Sequence, residues 1–205
     1  MIGPLFHRVF SNPSQIYNKL LLAAVHGDHR KLKGLLPLVD PSVLGPEALM
    51  NACINEHHKC VELLLPLTPT KDRRTVAKRL AEYGPEGTLL LLIEHDPDFA
   101  PMLLVNAVTG KNFKTAALLS ALTDPKHNNS LALQWAVVMG QQNMVDLLFD
   151  ISDPEVALAN IQKQHPHNSQ PWAWFEEYMA RAQKQKILSN IEDSSLPLPR
   201  TKRKI

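Results

Sequence analysis

The chain has 205 residues, 44% of them hydrophobic, and 22 lysines and arginines against 20 aspartates and glutamates, for a net charge of +2. That length and apolar content suffice for a core, and so even a balance excludes wholesale phosphate binding as its main business. No apolar run approaches the roughly 20 residues of a membrane helix, so a soluble protein with no membrane partner is expected. The start, MIGPLFHRVFSNPSQ, lacks the continuous apolar stretch of a secretory leader. With only two cysteines, Cys53 and Cys60, this favours a reducing, cytoplasmic setting, with nuclear import or delivery into a host cell as alternatives.

Taken in chain order, residues 1–18 bring Phe6, Val9, Phe10 and Ile16 and read as an N-terminal cap. One phrase then recurs five times: LLPLVDP, LLLPLTP, LLIEHDP, LLSALTDP and LLFDISDP, ending at Pro41, Pro69, Pro97, Pro125 and Pro154. Upstream of each lies a small or apolar residue, Ala23, Ala52, Leu80, Ala107 and Ala136, at intervals of 29, 28, 27 and 29 residues. One helical turn before these stand Leu20, Leu49, Ala77, Leu104 and Leu133, and nine residues after them Leu32, Val61, Leu89, Ala116 and Val145. Twelve and thirteen after come Leu35 and Leu36, Leu64 and Leu65, Leu92 and Ile93, Leu119 and Ser120, and Leu148 and Phe149, apolar but for Ser120. Spacings of 3 and 4 predict helices. A break at Gly27, Glu56, Gly84, Lys111 and Gly140 splits each unit into two antiparallel helices, with glycine suited to a left-handed turn. The Asp-Pro or Thr-Pro is expected to stop the second helix, because proline supplies no N–H and constrains the residue before it.

The predicted units span about 19–41, 46–69, 74–97, 101–125 and 130–154. Two short helices cannot bury their apolar face alone, so neighbours must stack. After them, 155–191 reads as a C-terminal helical cap, in which WAWFEEYMARAQKQKIL (172–188) lays aromatics on the last unit. Residues 192–205 have the composition of a disordered basic tail.

The stretches LLLAAVHGDHRKLKGLL (20–36) and LALQWAVVMGQQNMVDLL (131–148) resemble the ankyrin repeat, whose core reads L-x-x-A-A-x-x-G-x-x-x-x-V-x-x-L-L. The likeness covers about 19–154, strongest in the first and fifth copies and weakest in the third. The period is shorter than the ankyrin 33 residues, and the T-P-L-H opening is absent. The resemblance implies an all-α, ankyrin-like solenoid of helical hairpins between helical caps. Short loops such as SVLGP (42–46) and DFAP (98–101) would stand in place of full β-turn fingers. It further implies that the residues just before each break face a concave, partner-binding side. These are Val25 and His26, Ile54 and Asn55, Glu82 and Tyr83, Thr109 and Gly110, and Val138 and Met139. Val25, Ile54, Tyr83, Val138 and Met139 would form an apolar row of the kind that marks an interaction site. The bland alternative is that shortened loops tighten the stack and bury them.

Catalytic patterns are missing: there is no G-x-x-x-x-G-K-[ST], G-x-S-x-G or G-x-G-x-x-G. The histidine-rich NEHHKC (55–60) does not match H-E-x-x-H, and His29 and His58 occupy matching slots where packing or capping accounts for them. Cys53 and Cys60 fall in small core slots and read as buried thiols. No enzymatic activity, cofactor, metal or small-molecule substrate is expected. KDRRTVAKR (71–79) sets out five cations, Lys71, Arg73, Arg74, Lys78 and Arg79, and the tail RTKRKI four more. They read either as a solvated face or as a contact for nucleic acid or an acidic partner. Aromatics are not interleaved with them, which argues against base stacking. The expected function is a non-enzymatic module, an inhibitor, immunity-type antagonist, adaptor or host-directed effector, that occludes or scaffolds another protein. Nucleic-acid association through the basic segments is the rival.

Overall fold

The computed structural model describes residues 13–40, 45–166, 170 and 172–194, with side chains to 191. The expectations for Phe6, Val9 and Phe10, for loop residues 42–44 and for 195–205 lie outside the described residues. Among those described, all regular structure is helical. Five hairpins follow in order. They are α1 (Pro13–Val25) with α2 (His29–Leu35), α3 (Pro46–Ile54) with α4 (His58–Leu64), α5 (Thr70–Tyr83) with α6 (Glu86–His95), α7 (Ala100–Thr109) with α8 (Phe113–Leu122), and α9 (His127–Val138) with α10 (Gln142–Leu148). Then come α11 (Pro154–Gln164) and α12 (Ala173–Ser194). The first helices α1, α3, α5, α7, α9 and α11 pack side by side in that order, while α2, α4 and α6, and α8 with α10, form a second row.

The recurring apolar slots are this core. Each of the five anchor residues, each residue one turn before it and each residue nine after it is no more than 4% exposed. Leu64, Leu65, Leu92, Leu119 and Leu148 are buried as well. Ser120, the exception, satisfies its hydroxyl by donating to the Ala117 carbonyl at 2.9 Å.

The anchors also close the turns. In four hairpins the N–H five residues along the chain returns to the anchor carbonyl, Asp28 to Ala23, His57 to Ala52, Asn112 to Ala107 and Gln141 to Ala136, each at 2.9 Å. This 6→1 bond needs a left-handed residue before its donor. The residues there are Gly27 (φ 68°), Glu56 (φ 55°), Lys111 (φ 59°) and Gly140 (φ 64°). The third hairpin departs from the expectation. Gly84 is extended (φ −96°, ψ 177°) and its N–H bonds to Leu80, because the next residue, Pro85, has no N–H for the 6→1 bond.

α6 ends as expected, at His95 just before Asp96 and Pro97, whereas α2, α4 and α10 stop earlier. α2 and α4 end at Leu35 and Leu64 and tighten into 3₁₀ turns Leu36–Leu38 and Leu65–Leu67, each containing a proline of its own, Pro37 and Pro66. These remove helical donors before the terminal proline is reached. Pro69 and Pro154 instead stand at the N-cap of α5 and the first position of α11, where a missing N–H costs nothing. DFAP is not a loop: the 3₁₀ turn Pro97–Phe99 runs directly into α7. The third unit begins at Thr70 rather than 74, and the fifth opens with three left-handed residues, Asn128, Asn129 and Ser130.

The C-terminal cap is two helices. α11 extends the first-helix row, and α12 fastens through Phe175, which is fully buried, with Phe149 at 6.1 Å between ring centroids and Tyr178 5.0 Å from Phe149. Beyond those turns α12 leaves the body, and Ile187, Leu188 and Ile191 are exposed. It continues helical to Ser194, past the expected start of the tail.

Candidate partner-binding face

The last turns of the first helices hold most of the residues singled out before each break, and their environments differ. Ile54 is 55% exposed, Tyr83 77% and Met139 38%, so tightened packing does not bury them. Val25, Glu82, Thr109 and Val138 are half-buried, and His26 and Asn55 are exposed. Glu82 is engaged within the chain, where its carboxylate accepts from Asn106 Nδ2 at 3.4 Å. Its backbone lies so close to Gly110 that a Cβ there would come within 2.6 Å of Glu82 Cα. Gly110 therefore adds no side chain to the row where α7 packs on α5.

Ile54 and Tyr83 line one cleft of about 550 Å³ between α3 and α5. Met50, Leu80, Pro46 and Pro85 complete its apolar surface, and Arg79, Thr75 and Glu47 add polar groups. Glu47 is held by the Tyr17 hydroxyl, which donates to it at 3.2 Å. Burial and that carboxylate raise the Tyr17 pKa. Gly84 and Pro85, the irregular turn after α5, also line the cleft.

Apolar neighbours one turn back from the pre-break residues belong to the same face: Leu22 (54% exposed), Met50 in the cleft and Trp135 (42% exposed). A reading confined to the two residues before each break misses them. A step of four residues from His26, Ile54 and Met139 reaches all three.

The basic segment divides by role. Arg73 donates to the carbonyls of Leu65 at 3.1 Å and Thr68 at 3.2 Å, closing the end of the preceding 3₁₀ turn. Arg74 grips Asp96 with two bonds of 2.6 and 3.2 Å and lies 4.8 Å over the Phe99 ring. The hydrogen bond from Arg74, with its charge, lowers the Asp96 pKa. Lys78 sits 5.7 Å from the same ring centre. Lys71, Lys78 and Arg79 are exposed, and Arg79 alone of the five lines the cleft.

The cysteines are both fully buried free thiols. Burial pushes Cys53 up to about 12, and burial with the nearby Asp28 charge raises Cys60, which disfavours the nucleophilic thiolate. His58 Nδ1 lies 2.8 Å from the Glu56 carbonyl. His57 and Gln141 serve the stack: His57 Nε2 is 2.9 Å from the Val25 carbonyl and Gln141 Nε2 donates to the Val108 carbonyl at 3.0 Å, each in the preceding hairpin. Thr88 does the same to the Cys53 carbonyl at 3.0 Å. Among the described residues no three histidine, cysteine or carboxylate side chains converge as a metal site would require, and no helix is long and apolar enough to cross a membrane.

Comparison with known proteins finds no matching family model, no matching curated protein and no matching solved structure.

Proposed function

We propose that this chain is a non-enzymatic, protein-binding array of ankyrin-like helical hairpins that holds a partner along the exposed face of its first-helix row. One observation carries the reading. Ile54 and Tyr83 stay more than half exposed beside an apolar cleft, although every structural slot of their helices is already filled. Solvated helix ends favour charge, and clustered exposed aromatic and aliphatic side chains mark interaction sites. A face preformed on packed helices would bind at little ordering cost, so the mechanism is occlusion or scaffolding of the partner.

The ankyrin assignment rests on the register and on the four left-handed, 6→1 turns. The period and the third turn depart from the family pattern. The nucleic-acid reading loses ground because Arg73 and Arg74 are committed within the chain.

The test is affinity purification of the tagged protein from its native cells beside an Ile54→Asp/Met139→Asp variant, read by mass spectrometry. A protein recovered with the wild type alone, while both forms melt within about 2 °C of each other as expected for exposed sites, supports the face. Nucleic acid recovered equally with both and released by salt overturns it.

A further inference from the structure

The cleft between α3 and α5 points to one chemistry of partner, and we propose that it takes a peptide segment carrying a bulky apolar side chain beside a carboxylate. This rests on the binding-face reading and adds the identity of the bound groups. The apolar part follows from the floor: Met50, Ile54 and Tyr83 surround about 550 Å³, within the size range of clefts that enclose a compact group.

The carboxylate follows from the cations. Arg73 and Arg74 are occupied by carbonyls and by Asp96. Arg79, one turn before Tyr83 and on the same face of α5, is exposed, lines the cleft and enters none of the ion pairs among the described residues. Glu47 on the opposite wall is exposed and keeps its negative charge while it accepts from the Tyr17 hydroxyl, so the two walls differ in sign and an incoming carboxylate is directed to the Arg79 side. A planar guanidinium beside an apolar floor suits a carboxylate accepting two N–H bonds.

An extended peptide fits better than an isolated small molecule because apolar side chains stand exposed beyond the cleft as well: Trp135 at 42% and Met139 at 38%, two first helices further along the row, about 16–20 Å away.

The experiment is selection from a random-peptide display library on the wild-type protein, on Arg79→Glu and on Ile54→Asp/Tyr83→Asp, with helicity and melting temperature checked for each. The best wild-type peptide is then synthesised and titrated by fluorescence anisotropy. Enriched wild-type peptides are expected to pair a Leu, Phe, Trp or Met with an adjacent Asp or Glu. Replacing that acid by its amide, or Arg79 by Glu, should weaken binding about tenfold or more. Wild-type peptides that need Ile54 and Tyr83 but lack the acid, or that bind Arg79→Glu equally well, overturn the carboxylate proposal and leave the binding face standing. Peptides indifferent to Ile54→Asp/Tyr83→Asp, or no enrichment at all, overturn both.

Discussion

Replacing glycine by alanine at equivalent turns should give unequal losses whose order is set by the surroundings. Gly140 has φ 64° and nothing within 4 Å of where a Cβ would stand, so Gly140→Ala isolates the backbone effect. A left-handed L-residue costs about 1–2 kcal/mol, offset by about 0.4–1 kcal/mol because alanine restricts the unfolded chain. The expected loss is about 0.5–1 kcal/mol, or a fall in melting temperature of roughly 1–4 °C for a chain of this size.

Gly27, at φ 68°, carries the same backbone effect, but a Cβ there would lie 2.7 Å from the His57 ring. The ring must move, and its 2.9 Å contact with the Val25 carbonyl goes with it, adding about 0.5–1.5 kcal/mol. Lys111→Gly should run in reverse and stabilise by about 0.5–1 kcal/mol, since the residue is already left-handed without being glycine. Urea titrations of the variants at a common slope give the comparison. In a His57→Ala background the excess cost of Gly27→Ala over Gly140→Ala should vanish. Equal costs for the two glycines in the wild-type background, or a loss on Lys111→Gly, would refute the reasoning.

Leu64→Ala and Leu148→Ala, both from fully buried side chains, should each cost about 2–5 kcal/mol in the same assay, and near-zero losses would contradict the repeat register. The Asp96 carboxylate is held below its usual range by the hydrogen bond and charge of Arg74. Its contribution should therefore be present above the unfolded carboxylate value of about 3.9 and fade as pH falls through the lower folded one. Melting curves between about pH 6 and 2 should show a steeper acid loss for the wild type than for Asp96→Asn. Cys53 and Cys60, buried with raised pKa values, should resist a thiol reagent at pH 8 in the native state and react on unfolding; prompt native labelling would place them elsewhere.

The core was legible because helical spacing and recurrence agree: Leu20, Leu49, Leu104 and Leu133 can be aligned without any coordinates, and all are buried. The turns were legible only through that alignment, as Glu56 and Lys111 are not residue types that announce a left-handed conformation. The third turn misled, since Gly84 occupies the glycine slot while Pro85 removes the donor that would make the slot left-handed. The fate of Arg73 and Arg74 was hidden for another reason. Asp96 lies 22 residues from Arg74, and Arg73 reaches back to the Leu65 and Thr68 carbonyls, the first of which also accepts from the Thr68 N–H in the 3₁₀ turn. The left-handed run at 128–130 begins with Asn128 and Asn129, a residue type that adopts this conformation more readily than most others, a signal that helical spacing alone does not carry.

Among the described residues, the bridges between hairpins that join a side chain to a backbone carbonyl all point one way. His57 contacts Val25, Thr88 donates to Cys53, and Gln141 donates to Val108, so a side chain later in the sequence attends to a carbonyl made earlier. A ribosome releases the carbonyl first and its partner about 32 to 35 residues later, a lag of several seconds at ordinary rates of synthesis. The second, third and fifth hairpins thus each bring, as they emerge, a bond that their predecessor lacks until then, so the earlier hairpin is the one left waiting for the later.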